Sequence, residues 1–279
     1  MSEQLPAGAS GLTPVAGGDI NAAYRARLAD GRIAFVKTRA DARAGEYARE
    51  ARDLAWLAAA NALSVPAVLE LGERFLALEW IERGALSRAG EEELGRGLAE
   101  LHLAGAPWFG DPQGSGQTGF GSLQLPNDPA PSWPEFYAAS RLEPLARLAE
   151  RRGAISRRCA AAVASICARI EQLSGPAEAP ARLHGDLWGG NVLADRAGRP
   201  WLIDPAAYGG HREVDLAMLR LFGGPSERCF AAYAERSPLA EGWQERIALY
   251  QLAPLLVHAA LFGSSYGAAA ERAALRYSA

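Results

Sequence analysis

Asp186, Asn191 and Asp204 offer two carboxylates and one amide at successive offsets of five and thirteen positions. They lie in His184-Gly185-Asp186-Leu187-Trp188-Gly189-Gly190-Asn191 and in Pro200-Trp201-Leu202-Ile203-Asp204. The first offset matches a phosphoryl-transfer loop. There an Asp takes the proton of an attacking hydroxyl and an Asn five residues on holds magnesium. Asp204, closing an apolar strand, is expected to hold the other magnesium. Hard cations prefer oxygen donors, and this set supplies them. Trp188 shares the loop with Asp186 and is expected beside the acceptor. An indole there offers a flat face with a negative quadrupole.

These groups need a scaffold that brings them together. Asn191 to Asp195 reads as a short strand, Arg196 to Arg199 as a turn in which Gly198 can take positive φ, and Pro200 to Ile203 as the returning strand. A hairpin of this length brings Asn191 and Asp204 to the same end. His184 is expected to brace the loop backbone rather than to transfer a proton. Asp215 is expected to cap a helix starting near 213 or to tie the loop.

A second signal comes from composition. Lys and Arg total 29 and Lys37 is the only lysine, which leaves 28 arginines. A compact ammonium on a thin stem fits between phosphates where a planar guanidinium does not. Lys37 follows the apolar run Ile33-Ala34-Phe35-Val36, so it sits on a strand, where a kinase places its phosphate-binding lysine. Gly17 and Gly18 lie in a turn one hairpin earlier, after a loose lead-in over residues 1 to 13. Backbone N–H groups of such a turn can face phosphate oxygens. Residues 43 to 60 form a helix with Tyr47, Ala51, Leu54 and Leu57 at helical spacing. It carries two acidic candidates for pairing with Lys37, Glu50 and, one turn earlier, Glu46.

HGDLWGGNVL at 184–193 and LIDPAAYGGHREVDLAMLRLFGG at 202–224 resemble the fructosamine kinase (ketosamine 3-kinase) family. That family belongs with the aminoglycoside phosphotransferases and choline kinases, which share the protein-kinase-like fold. The resemblance spans nearly the whole chain and is most specific at 184–223. It implies an α+β, two-lobed fold. A small antiparallel-sheet lobe over 1–83 would cover the nucleotide, and a larger, mainly helical lobe over 84–279 would carry the catalytic loop. It implies ATP and Mg2+ as cofactors, Asp186 as catalytic base, and Asn191 and Asp204 as metal ligands. The family's Glu-Ala…Leu pattern maps onto Glu50-Ala51 and Leu54, making Glu50 the partner of Lys37. Leu76 to Glu82 resembles the kinase hinge, with backbone near Glu79 and Ile81 facing adenine. Trp188 matches the fructosamine kinases, where protein kinases have Lys and aminoglycoside kinases commonly His. The acceptor implied is a ketosamine phosphorylated on its third carbon, in repair of glycated amines. His211, in Tyr208-Gly209-Gly210-His211-Arg212-Glu213, is a further substrate-contact candidate. Relatives usually have a second Tyr at the place of Gly209. Two rivals remain: a kinase for another small hydroxyl compound, aminoglycoside- or choline-like, and a pseudokinase acting as a nucleotide-binding module.

The remaining features are permissive. The chain has 279 residues, 49% of them hydrophobic, with net charge −3 and pI near 5.9. Neither nucleic acid nor a membrane surface is expected as partner. Leu252 to Phe262 is too short to span a bilayer. No signal pattern opens the chain. Cys159, Cys167 and Cys229 match no metal or disulfide framework, so a cytoplasmic protein with reduced thiols is expected, with a monomer favoured. Residues 105–132 read as a long loop, 133–150 and 155–173 as helices, and 226–279 as helical.

Overall fold

The computed structural model describes residues 4–15, 21–114, 116–120 and 123–277. Strands β1 (Ser10–Pro14), β2 (Ala22–Arg27), β3 (Ile33–Thr38), β4 (Val68–Leu71) and β5 (Phe75–Glu79) form one antiparallel sheet in the order β1-β2-β3-β5-β4. Ser10 to Thr13 of β1 fall inside the expected lead-in, and Pro14 in the turn expected after it. All five residues of β1 are exposed, so it has no apolar alternation by which to be read.

The two-residue period of β3 sorts its side chains. Ala34 and Val36 join Ala26 and Ala77 on one face. Phe35 packs on the other, with Leu76 and Leu78 of β5 and Tyr47 and Leu54 of helix α1 (Glu46–Ala58). Lys37 shares the parity of Phe35, so its side chain points at α1. On α1, Glu50 lies three residues after Tyr47 and four before Leu54, on the buried stripe, and so it faces the sheet.

A larger, mainly helical lobe follows. Helix α2 (Arg88–Leu103) leads to a hairpin of β6 (Gln117–Phe120) and β7 (Leu123–Pro126), inside the stretch expected to be a loop. Helices α3 (Trp133–Tyr137), α4 (Glu143–Arg151), α5 (Arg157–Ala168) and α6 (Ile170–Leu173) come next. Between α3 and α4 the chain makes a wider turn at Ala138–Leu142. Pro144 has no N–H to give the Ser140 carbonyl, and Arg141 Nη1 donates to that carbonyl instead, at 3.0 Å. The site segment holds β8 (Ala181–Leu183), β9 (Val192–Ala194), β10 (Pro200–Leu202) and β11 (Tyr208–Gly210). Helices α7 (Glu213–Leu219), α8 (Glu227–Arg236), α9 (Trp243–Tyr250), α10 (Leu252–Phe262) and α11 (Ser264–Leu275) complete the lobe. This is the two-lobed arrangement of the protein-kinase-like phosphotransferases.

The lobes are joined through the β9–β10 hairpin. The Gly84 N–H donates to the Ala194 carbonyl at 2.8 Å, and Arg83 bridges to Asp195. At the hairpin tip Gly198 has φ 77° and packs on Ser87, the N-cap of α2. Among the described residues no helix is long and apolar enough to cross a membrane. All three cysteines are free, and Cys159 and Cys229 are buried.

Candidate active site

The catalytic-loop candidates are set by a rigid backbone. Gly185 has φ 83°, and a Cβ there would collide with the Ala206 carbonyl, so this turn admits only glycine. Asp215 accepts from the N–H groups of His184 at 2.7 Å and Gly185 at 2.9 Å, so it ties the loop. Behind it stand His102, whose Nε2 is 3.3 Å from Asp215 Oδ2, and Tyr233, whose hydroxyl is 2.8 Å from His102 Nδ1. His184 is fully buried. Its Nε2 donates to the Ile203 carbonyl at 2.9 Å and its Nδ1 accepts from the Asp186 N–H at 3.3 Å. Burial lowers its proton affinity, which suits a neutral ring that braces two backbone groups.

On this base β9 and β10 pair as Ala194 with Pro200 and Val192 with Leu202, and bring the three oxygen-bearing groups together. Asn191 Nδ2 donates to the Asp186 carbonyl at 2.8 Å, and it lies 3.3 Å from Asp186 Oδ2 and 3.5 Å from the Asp204 carbonyl. Asn191 Oδ1 takes no hydrogen bond from the described residues. Asp204 has φ 53°, an uncommon conformation for a residue with a side chain. Its Oδ1 accepts from Lys37 Nζ at 2.7 Å. Lys37, 5% exposed, also pairs with Glu50. Glu46 pairs instead with Arg39, at 2.6 Å.

The electrostatics follow from burial. Burial, reinforced by the Asp204 charge, pushes the Asp186 carboxyl up to about 7. Burial pushes Glu50 up to about 7 as well, against the Lys37 ammonium. Burial also opposes ionisation of Asp204, but Lys37 outweighs it and holds that carboxyl below its ordinary value. Burial likewise opposes the Lys37 charge, and the Asp204 and Glu50 carboxylates overcome it and raise its proton affinity.

Lys37, Glu50, Asp186, Asn191 and Asp204 open on one cavity of about 540 Å³. Trp188 lines it as well, is 39% exposed, and meets Phe222 edge-on at 6.4 Å. Its indole lies over Gly190, where a Cβ would strike the ring. Further walls were not expected as such from the sequence, where Glu46 was weighed only as a partner for Lys37. Arg39, Glu46, Arg49 and Asp53 come from β3–α1, and Gly119 and Phe120 from the β6–β7 hairpin. His258, Phe262 and Tyr266 form an aromatic cluster with Phe222 on a third side. Their spacing by fours across α10–α11 was the available signal, and it reads the same as core packing.

Other candidates fall elsewhere. Gly17 and Gly18 lie outside the described residues. Glu79 ends β5, where its N–H donates to the Ala67 carbonyl at 2.8 Å and its carboxylate accepts from the Ala67 N–H at 3.2 Å; neither it nor Ile81 lines this cavity. His211, expected as a substrate-contact candidate, does not line this cavity. β11 runs back along β8, and His211 is delivered into the core, 2% exposed and stacked on Tyr250 at 5.2 Å. Gly209 is packed too. A Cβ there would collide with the Trp108 carbonyl.

The donor set suits Mg2+. Asp204 and Asn191 supply hard oxygens, and the Asn191 amide nitrogen is already turned to the loop. No three His, Cys or acidic side chains converge as a metal cage among the described residues. An ion held here would therefore share its coordination with nucleotide phosphates and water, the usual habit of Mg2+.

Comparison with known proteins gives a consistent result. The family model described as fructosamine kinase matches residues 2–277. The chain is 36% identical over 261 residues to a probable ketoamine kinase of Enterococcus faecium, covering 92% of this chain and 91% of that one. It is 33% identical over 265 residues to the ketosamine-3-kinase of Mus musculus, covering 85% and 84%. A crystal structure of a fructosamine-3-kinase candidate from Thermobifida fusca superposes with a TM-score of 0.89 at 42% identity, covering 96% of this chain and 93% of that one.

Proposed function

The chain belongs to the fructosamine kinase family, and from that premise we propose that it transfers the γ-phosphoryl group of ATP to a ketosamine hydroxyl on the third carbon of the sugar. The observation that carries this reading is the convergence of Lys37, Glu50, Asp186, Asn191 and Asp204 on one cavity. The names of the relatives favour a ketosamine acceptor over an aminoglycoside or choline.

In this reading Asp186 orients the acceptor hydroxyl and takes its proton. A buried carboxyl whose proton affinity is raised toward neutrality is matched to that task. Lys37, held by Glu50, grips the nucleotide's α and β phosphates and turns from Asp204 toward them as the nucleotide arrives. Asn191 and Asp204 would hold Mg2+, which bound there neutralises phosphate charge. Trp188 covers one face of the sugar. Gly17 and Gly18 would present backbone N–H groups to phosphate, and the backbone near Glu79 and Ile81 would face adenine. In this reading the smaller lobe spans 1–83 and the larger 84–279, a division supported by the Gly84 N–H bond to the Ala194 carbonyl of the β9–β10 hairpin.

The test is a set of fructosylated and ribosylated amines incubated with ATP and Mg2+. ADP release is measured, and the product's phosphate position is read by phosphorus NMR. Phosphate on the third carbon is expected. Turnover of choline or an aminoglycoside with no turnover of any ketosamine would overturn the reading.

A further inference from the structure

Three cations line the cavity, and two are committed. Lys37 is held between Glu50 and Asp204, and Arg39 between Asp41 and Glu46. Arg49 forms no ion pair among the described residues, yet it lines the same cavity. Its guanidinium lies against Gly119 of the β6–β7 hairpin, where a Cβ would collide with Nη2, so this glycine makes the room that the arginine occupies. Asp53, one turn along α1, accepts from the Ala207 N–H at 3.2 Å. Burial pushes its carboxyl up to about 8, with Ala207 and Arg49 opposing. Asp53 and Arg49 also border a small polar void without meeting at ion-pair distance.

The placement indicates which anion Arg49 serves. The nucleotide side of the cavity is built by β3, Glu50 and the β9–β10 hairpin. Arg49 projects from a neighbouring face of α1 and meets the helical lobe at Gly119, on a wall that the phosphate-binding residues do not build. Asp186 and Trp188 line the same cavity, and Asp186, as the base proposed above, sets where the acceptor hydroxyl sits. A planar fork is suited to a carboxylate, which it can hold through paired N–H donors.

We infer that Arg49 reads a carboxylate on the acceptor, so that the preferred substrates are ketosamines of free amino acids rather than of neutral amines. This rests on the ketosamine reading above. The experiment compares fructosyl-valine with fructosyl-valinamide, which differ only in that charge, for the protein and for Arg49→Gln and Arg49→Lys. The readouts are kcat, KM and melting temperature. The unsubstituted chain should prefer the acid about tenfold or more in kcat/KM, chiefly through KM. Arg49→Gln should bring that ratio to within about twofold at an unchanged melting temperature, and Arg49→Lys should restore part of it. If both acceptors are phosphorylated equally well by the unsubstituted chain, the inference falls and the ketosamine reading stands. If Arg49→Gln lowers kcat by the same factor on both, the arginine serves the moving phosphoryl group and the inference also falls. If neither acceptor nor any other ketosamine is phosphorylated, both readings fall together.

Discussion

Lys37 Nζ and Asp204 Oδ1 lie 2.7 Å apart although 167 positions separate them in the chain. One rides a central strand of the sheet and the other follows the hairpin of the helical lobe. Their contact draws the two lobes together, with Glu50 as the third member. Lys37→Arg keeps the charge but brings a wide fork into a space that leaves the lysine 5% exposed. We expect turnover to fall by about a hundredfold or more in an ADP-release assay. Near-normal turnover would dismiss the assignment.

Asp186 and Asp204 should separate kinetically. Asp186→Asn should lower kcat by about 10²–10⁴, the usual worth of a general base, and leave nucleotide affinity intact. Asp204→Asn should instead weaken binding of the magnesium nucleotide. Titration calorimetry on both variants decides it, since equal nucleotide affinities would contradict the division of labour.

Asp215 uses both carboxylate oxygens on the backbone N–H groups of His184 and Gly185, at the head of the proposed catalytic loop. Asp215→Asn would turn an amide N–H₂ toward one of those donors. A loss of about 1–3 kcal/mol in denaturant unfolding is expected, with a fall in kcat at unchanged KM for ATP. Unchanged stability would show that the loop holds itself.

His211 supplies a pH signature. Burial lowers its proton affinity from an ordinary value near 6.5 to about 4. The unfolded chain therefore binds this proton first as pH falls. Stability from the neutral ring is full above about 6.5 and is lost as pH falls toward 4, on the order of 2–3 kcal/mol. The raised carboxyls of Asp186, Glu50 and Asp53 act with the opposite sign, so the comparison is made against His211→Phe. The stability of the unsubstituted chain minus that of the variant should fall by about 2–3 kcal/mol between pH 6.5 and 4, and a difference that does not change with pH would refute the assignment.

Trp188 is 39% exposed, lies over Gly190 and meets the edge of Phe222. Trp188→Ala should raise KM for the ketosamine severalfold, consistent with about 0.5–2 kcal/mol for a cation over an indole. KM for ATP and melting temperature should hardly move. A large thermal loss at unchanged acceptor KM would make the ring a packing element only.

Asp186, Asn191 and Asp204 were legible in the amino-acid order because one short hairpin joins them, and its geometry follows from strand length and Gly198. Lys37 was legible from its solitude and from the apolar strand that carries it. The choice between Glu46 and Glu50 was not, since both lie on one helix a turn apart; the packing of Tyr47 and Leu54 against the sheet turned Glu50 inward. His211 and Asp215 are close in the chain and part ways in space. Asp215 reaches the catalytic loop from α7, while β11 carries His211 into the core. The aromatic walls of the cavity were hidden for a different reason. His258, Phe262 and Tyr266 have the spacing of a buried helical face, and periodicity cannot distinguish a face that meets protein from one that meets a cavity. Arg49 and Gly119 lie on different lobes, and only the packing of α1 against the β6–β7 hairpin makes them neighbours.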